Sequence, residues 1–166
     1  MPPPSTTRPG HEPGGPWAPA PGIRDVDLGL THGADVVVCD RDDVSGLLTA
    51  EVLRGAGHRV HVRDLADVLA DPAAAPILLL GDPTAAGPAE ETLAGVRRHA
   101  QGTHPTIMVI TPTADPAVGA ELLDAGADHV LPRPWSPRLL RAVVAAQLRR
   151  HHLTCGATAG LGAVTC

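Results

Sequence analysis

Three runs in this chain leave little room for water on either side: VVVC at 36–39, ILLL at 77–80 and TIMVI at 106–110. A half-exposed strand alternates apolar and polar residues. A run that is apolar throughout belongs to a strand covered on both faces, as in a parallel sheet with helices above and below. The stretches between these runs agree. Asp43 to Ala56 sets Val44, Leu47, Leu48, Val52 and Leu53 at the spacing of one helix face, and Gly57 closes it. HRVHV (58–62) alternates like a short strand, and LADVLA (65–70) reads as a short helix. A loop over 81–88 leads to a helix at 89–100. Pro116 to Ala125 forms another, with Val118, Leu122 and Leu123 inward and Gly126 as its stop. HVL (129–131) is a last strand. Ser136 is a good N-cap with Pro137 at the first helical position, opening a helix to Arg150.

Five strands alternating with five helices predict an α/β fold, a doubly wound parallel sheet with helices on both faces. Ligands of such sheets sit beyond the carboxyl ends of the strands. Here those ends are Asp40, Gly81, Thr111 and the 132–135 loop.

Composition sets the boundaries. Hydrophobic residues make up 43% of the chain, but its aromatics are only Trp17 and Trp135, so the core is built from Val, Leu, Ile and Ala. All 13 basic side chains are Arg, and the net charge of -5 gives no general footprint for nucleic acid. Cys39, Cys155 and Cys166 make no disulfide framework; Cys39 closes a strand and reads as a small core residue. Residues 1–33, rich in Pro and Gly, read as a disordered or extended leader in which Trp17 is exposed. No stretch has signal-peptide or membrane-span character, so a cytoplasmic location is expected.

Four stretches carry a resemblance: DVVVCDRDD, LLLGDP, TIMVITPTADP and LLDAGADHVLPRPWSPRLLRAVVAAQLRR. With them, residues 34–150 resemble a response-regulator receiver domain. AGAD followed by PRPW, where the family has Lys-Pro-Phe, and then Ser-Pro and an amphipathic helix, is similar to the OmpR-type transcription regulators of two-component systems. The resemblance implies a flavodoxin-like (CheY-like) five-stranded sheet. It also implies a site in which acids after the first strand and an aspartate after the third hold Mg²⁺. That aspartate accepts a phosphoryl group from a histidine kinase, while a lysine and a Ser/Thr hydroxyl contact its oxygens.

Carried over residue by residue, the resemblance places Thr111 at the hydroxyl position and Asp40 at the first acid. Arg41 stands where the second acid belongs, Arg133 replaces the lysine, and Gly81 falls in the acceptor slot with Asp82 one residue later. One carboxylate and two guanidiniums repel a cation, and Arg does not deprotonate to relieve this. The expectation is therefore a degenerate, phosphorylation-independent receiver: no enzyme, no cofactor, no metal site, and Mg²⁺ binding weak or lost. Val130 at the aromatic switch position and the PTAAGP loop (83–88) depart from the family in the same direction. The favoured arrangement pairs Arg41 and Arg133 with Asp40 and Asp82, locking one conformation. Two alternatives stand beside it: an Arg41/Arg133 pocket for an anionic small molecule, and phosphorylation of Asp82 through a one-residue slip.

The implied partners are a second copy, a histidine kinase or another regulatory protein, with no membrane. The implied dimer face runs over the fourth helix, fifth strand and fifth helix. It offers Asp124, Asp128, Arg138, Arg141, Arg149 and Arg150, with Gly119, Leu139, Val143 and Ala145 at positions where the family carries charges. Residues 151–166 resemble the linker and opening strand of a winged-helix effector domain, so DNA would be reached only through an effector domain outside this sequence. His151, His152, Cys155 and Cys166 have no recognised zinc spacing and read as a bland tail.

Overall fold

The computed structural model describes residues 33–72, 75–100 and 104–158. The leader with Trp17, and Cys166 at the end of the tail, lie outside them. Five strands, β1 (Asp35–Cys39), β2 (Arg59–Val62), β3 (Ile77–Gly81), β4 (Thr106–Thr111) and β5 (His129–Pro132), form one parallel sheet in the order β2-β1-β3-β4-β5. The helices are α1 (Asp43–Arg54), α2 (Leu65–Ala70), α3 (Ala89–His99), α4 (Pro116–Asp124) and α5 (Pro137–Thr158). A 3₁₀ turn (Pro83–Ala86) occupies the stretch expected as loop. The predicted flavodoxin-like doubly wound architecture is the observed one.

Strand alternation divides the core. Val36, Val38, Ile77, Leu79, Met108 and Leu131 face α1 and α5, where Ala50, Leu53, Leu140, Val144 and Leu148 cover them. Val37, Cys39, Leu78, Leu80, Ile107 and Val109 face the other way, under Val68, Leu93, Val96 and Leu122. Every residue of β3 is buried, as its unbroken apolar run requires; each such Leu or Ile stabilises the fold by roughly 1.5–3 kcal/mol. Burial, with the charge of Asp40 beside it, pushes the Cys39 thiol up to about 11, so it stays an inert core group.

The helix starts are capped, at Ser136 as the sequence suggests and at three aspartates besides. The carboxylates of Asp42, Asp64 and Asp115 accept N–H bonds at the heads of α1, α2 and α4, and Ser136 Oγ accepts from Leu139 N at 3.1 Å. Three expectations change. The five apolar positions of α1 divide: Leu53 is buried with Gly46, Thr49 and Ala50, and Val52 packs half-buried against the core, whereas Val44, Leu47 and Leu48 are exposed. The reason is close approach, because a Cβ at Gly46 would meet Asp40 Cβ at 3.3 Å and only the small-residue side of α1 fits there. Leu123 of α4 likewise points to solvent while Leu122 is buried. Third, α5 does not stop at Arg150 but continues to Thr158, through the first half of the expected linker.

At the amino edge of the sheet, Arg59 grips Asp35 through two hydrogen bonds of 2.8 and 2.6 Å, and His61 Nε2 lies 3.3 Å away. The Arg59 bonds hold the Asp35 carboxyl at about 2, below its ordinary 3.8. A depressed carboxyl contributes stability above its unfolded pKa and loses it as pH falls through the folded value. The wild-type chain should therefore melt above an Asp35→Asn variant at about pH 6, and the gap should close as the pH drops from near 3.8 towards 2. Circular-dichroism melts of both across that range check this; a gap that persists in acid would show that the pair stabilises nothing.

Candidate functional site

The carboxyl edge is set by sheet register. Cys39 pairs with Leu80, and Gly81 pairs with Ile110, so Asp40 leaves β1 level with Gly81. By strand alternation both belong to the side covered by α1 and α5. Gly81 is buried, and a Cβ there would lie 2.6 Å from Asp40 Oδ1 and nearer still to Cγ and Oδ2. The Asp40 carboxylate thus fills the volume that any side chain at Gly81 would need. Gly46 makes room from the opposite side by letting α1 come close. Two glycines in separate elements create the seat for one acid.

That acid is fully engaged. Arg133 Nη2, carried in by the β5–α5 loop, donates to Asp40 Oδ2 at 2.6 Å, and Asp42 N donates to Oδ1 at 3.0 Å. The Asp40 side chain is 5% exposed and that of Arg133 29%. A near-buried carboxylate is costly without a partner, and here each oxygen has one. Arg133 is itself held, since its N–H donates to Thr111 O at 2.8 Å. The pair therefore ties the end of β1 to the end of β5 across the intervening strands.

The other expected residues disperse. Asp82 continues the sheet through its N–H, which donates to Ile110 O at 2.8 Å, and then turns with a φ of 29°. Its carboxylate accepts the Thr84 hydroxyl of the following 3₁₀ turn, an engagement no sequence signal announced. The expected pairing of an Arg with Asp82 is not what the structure shows. Thr111 is buried and its hydroxyl lies 3.4 Å from Thr113 N, from which it accepts a hydrogen bond. Arg41 is exposed in the β1–α1 loop, whereas Arg133 is partly buried against Asp40.

These residues do not fit the Mg²⁺ that the resemblance implies. Such an ion needs near-octahedral oxygen ligands, while the one buried carboxylate of the edge already holds a guanidinium. Among the described residues, no three His, Cys, Asp or Glu side chains gather where they could hold a metal. Of the tail set, Cys166 and the side chain of Cys155 lie outside the described residues.

The expected dimer face is also partly spoken for. Asp128 Oδ2 accepts from Arg97 Nη2 at 2.6 Å and from Ile107 N at 2.8 Å, and Arg97 also donates to Pro105 O and Gly126 O. That network clamps the end of α3 to the loops before β4 and β5. Arg141 Nε donates to Pro137 O within α5. Asp124, Arg138 and Arg149 remain at the surface, as does Arg150. A separate cleft of about 250 Å³ opens between the 3₁₀ turn, α3 and α4, lined by Thr84, Glu90, Val118 and Glu121; Asp40, Gly81 and Arg133 do not line it.

Two variants test the seat. Replacing Arg133 by Met leaves the buried Asp40 charge without its counterion and should cost roughly 3 kcal/mol in urea unfolding, with Arg133→Lys costing less. Gly81→Ala should cost about 1–3 kcal/mol through overpacking against the carboxylate. In an Asp40→Ala background that second cost should nearly vanish, and additive effects would show that the two positions do not share one volume.

No family model matches the sequence, and no curated protein matches it. Solved structures match its fold. The chemotaxis response regulator CheY4 of Vibrio cholerae is 20% identical and aligns over 69% of this chain and 98% of its own, with a TM-score of 0.61. A CheY-like response regulator receiver domain protein from Methanospirillum hungatei is 17% identical over 74% of this chain and 98% of its own, with a TM-score of 0.62. NtrX from Brucella abortus is 18% identical over 76% of this chain and 29% of its own, with a TM-score of 0.67. The fold of this chain is the fold of response-regulator receiver domains.

Proposed function

We propose that this chain is an atypical receiver module of a response regulator, of the OmpR type, that works without phosphorylation and without catalysis of its own. The observation that supports this most is the Asp40 carboxylate lying in the volume of the missing Gly81 side chain and bound to Arg133 at 2.6 Å. A phosphoryl acceptor needs a free carboxylate, and a signalling lysine needs a phosphoryl group to bind. Here an internal carboxylate takes the place of the phosphoryl oxygens, so the cation that would answer a signal is answered from within the chain. The module then acts through protein contacts, including contact with a second copy. It regulates transcription through an effector domain outside this sequence, in the cytoplasm. No helix among the described residues is long and apolar enough to cross a membrane.

Two rival readings are weaker on geometry. An anion sensor would have to expel Asp40 from Arg133 before a ligand could bind. Phosphorylation of Asp82 would have to free a carboxylate that accepts the Thr84 hydroxyl, on a backbone with positive φ.

Exposure of the chain to acetyl phosphate and Mg²⁺, followed by intact-mass measurement and peptide mapping, decides between them. The expected result is no phosphoryl adduct and no change in Trp135 fluorescence on adding Mg²⁺ with beryllofluoride, read in a Trp17→Phe variant. A stoichiometric adduct mapped to Asp82 would overturn the proposal.

A further inference from the structure

The cleft between the 3₁₀ turn, α3 and α4 stands apart from the Asp40 seat and has a chemistry of its own. Its volume is about 250 Å³. Its apolar lining continues the core: Leu122 is buried, and Ala89 and Val118 pack half-buried against the same cluster. Its acids come from two different helices, Glu90 from the first turn of α3 and Glu121 from α4, and both are exposed. Among the described residues neither side-chain carboxylate has an ion-pair or hydrogen-bond partner.

The polar side chains of this lining share one property. A carboxylate can only accept hydrogen bonds. Thr84 has a single hydroxyl proton, and it is donated to the Asp82 carboxylate. Towards the cleft the Thr84 oxygen can therefore only accept as well. Apolar walls with three acceptors and no side-chain donor match a group rich in N–H and free of acceptors, which is an ammonium or a guanidinium. An anion would meet two carboxylates and is excluded. A metal ion is a poor match, because Mg²⁺ and Ca²⁺ want a near-octahedral or larger set of oxygens. Among the described residues no three His, Cys, Asp or Glu side chains gather to supply one. An alkyl cation suits both parts of the cleft, since its stem lies on apolar surface while its head stays with the acids. The volume falls just below the range of drug-sized ligands, which begins near about 300 Å³. It holds one short chain and not a helix or strand of a partner protein.

We propose that this cleft binds a small aliphatic cation, an alkylguanidinium or alkylammonium. Its stem lies against Val118 and Leu122, and its head is shared among Glu90, Glu121 and the Thr84 oxygen. The binding does not depend on whether the chain is phosphorylated. Its use as a signal rests on the phosphorylation-independent reading, because a receiver that takes no phosphoryl group needs another input. Thr84 supplies the link, joining the cleft to Asp82 and so to the carboxyl edge of the sheet.

Titration of the full chain with butylguanidinium at low ionic strength tests this, read by calorimetry and by NMR amide shifts. One saturable site is expected, with a Kd of about 1 mM or tighter and shifts centred on residues 84–90 and 118–122. Butylurea has the same shape but no charge, and carries a carbonyl acceptor, so it should not bind. Glu90→Gln and Glu121→Gln should each weaken binding by at least about fivefold. Glu91→Gln, exposed on the same helical turn but outside the cleft, should leave it unchanged. Circular dichroism confirms that each variant folds. Equal weakening by all three would mean diffuse attraction to a chain of net charge -5 and would overturn the proposal. So would the absence of binding, or butylurea binding as well as the cation. An arginine-containing peptide that binds where butylguanidinium does not would overturn it in favour of a protein partner. A phosphoryl adduct on Asp82 would instead sink the phosphorylation-independent reading and leave the cation site standing.

Discussion

The contact between Asp40 and Arg133 joins elements that are distant in sequence and organises the carboxyl edge around them. Its strength comes from burial. At an exposed position the same pair would contribute little, because water and salt would screen it and the side chains would lose entropy. Here Asp40 is nearly withdrawn from solvent, so it is stable as a charge only while Arg133 and the Asp42 N–H address its oxygens. The pair is thus more constraint than reward: neither partner can leave cheaply. Since Arg133 introduces α5 and Asp40 introduces α1, the bridge also fixes how the heads of those two helices stand beside each other.

Absence of side chains is what makes that contact feasible. Gly81 supplies the volume for the carboxylate, and Gly46 lets α1 approach Asp40 closely. Neither glycine has a positive φ, so their role is space and not backbone freedom. Beside that approach the small residues Gly46, Thr49 and Ala50 face inward together with Leu53, while Val44, Leu47 and Leu48 face solvent. The glycine at position 81 and the exposed aliphatics of α1 are thus both connected to the seating of one aspartate.

Much of this was legible in the chain. The unbroken runs at 36–39, 77–80 and 106–110 are buried strands because a residue run without polar breaks has no other low-energy place. The cap at Ser136 was read from the chain, because local hydrogen-bond chemistry needs no distant partner; the same chemistry at Asp42 and Asp115 went unread. The candidate residues Asp40, Gly81 and Arg133 were identifiable by position, and the structure brings those three together. Arg41 and Asp82 were identifiable in the same way, yet Arg41 is exposed and the Asp82 carboxylate turns to the Thr84 hydroxyl. Gly46 carried a usable signal, a glycine in mid-helix, that points to close approach. Thr84 and Arg97 carried none, since their partners are chosen by loop geometry and by loops 8 to 31 residues away.

The sequence by itself determined the order of elements, the both-sided burial of the sheet and the presence of a glycine, not a side chain, at the end of β3. Each of these depends on residue type and spacing along a short stretch of chain. Only the tertiary structure decided which guanidinium meets Asp40, which way Asp82 turns and which face of α1 is buried. Those outcomes depend on the volume available between elements far apart in sequence. A periodic pattern identifies the residues that form an apolar stripe, but close approach of the backbones decides whether that stripe or the small-residue side can fit inside.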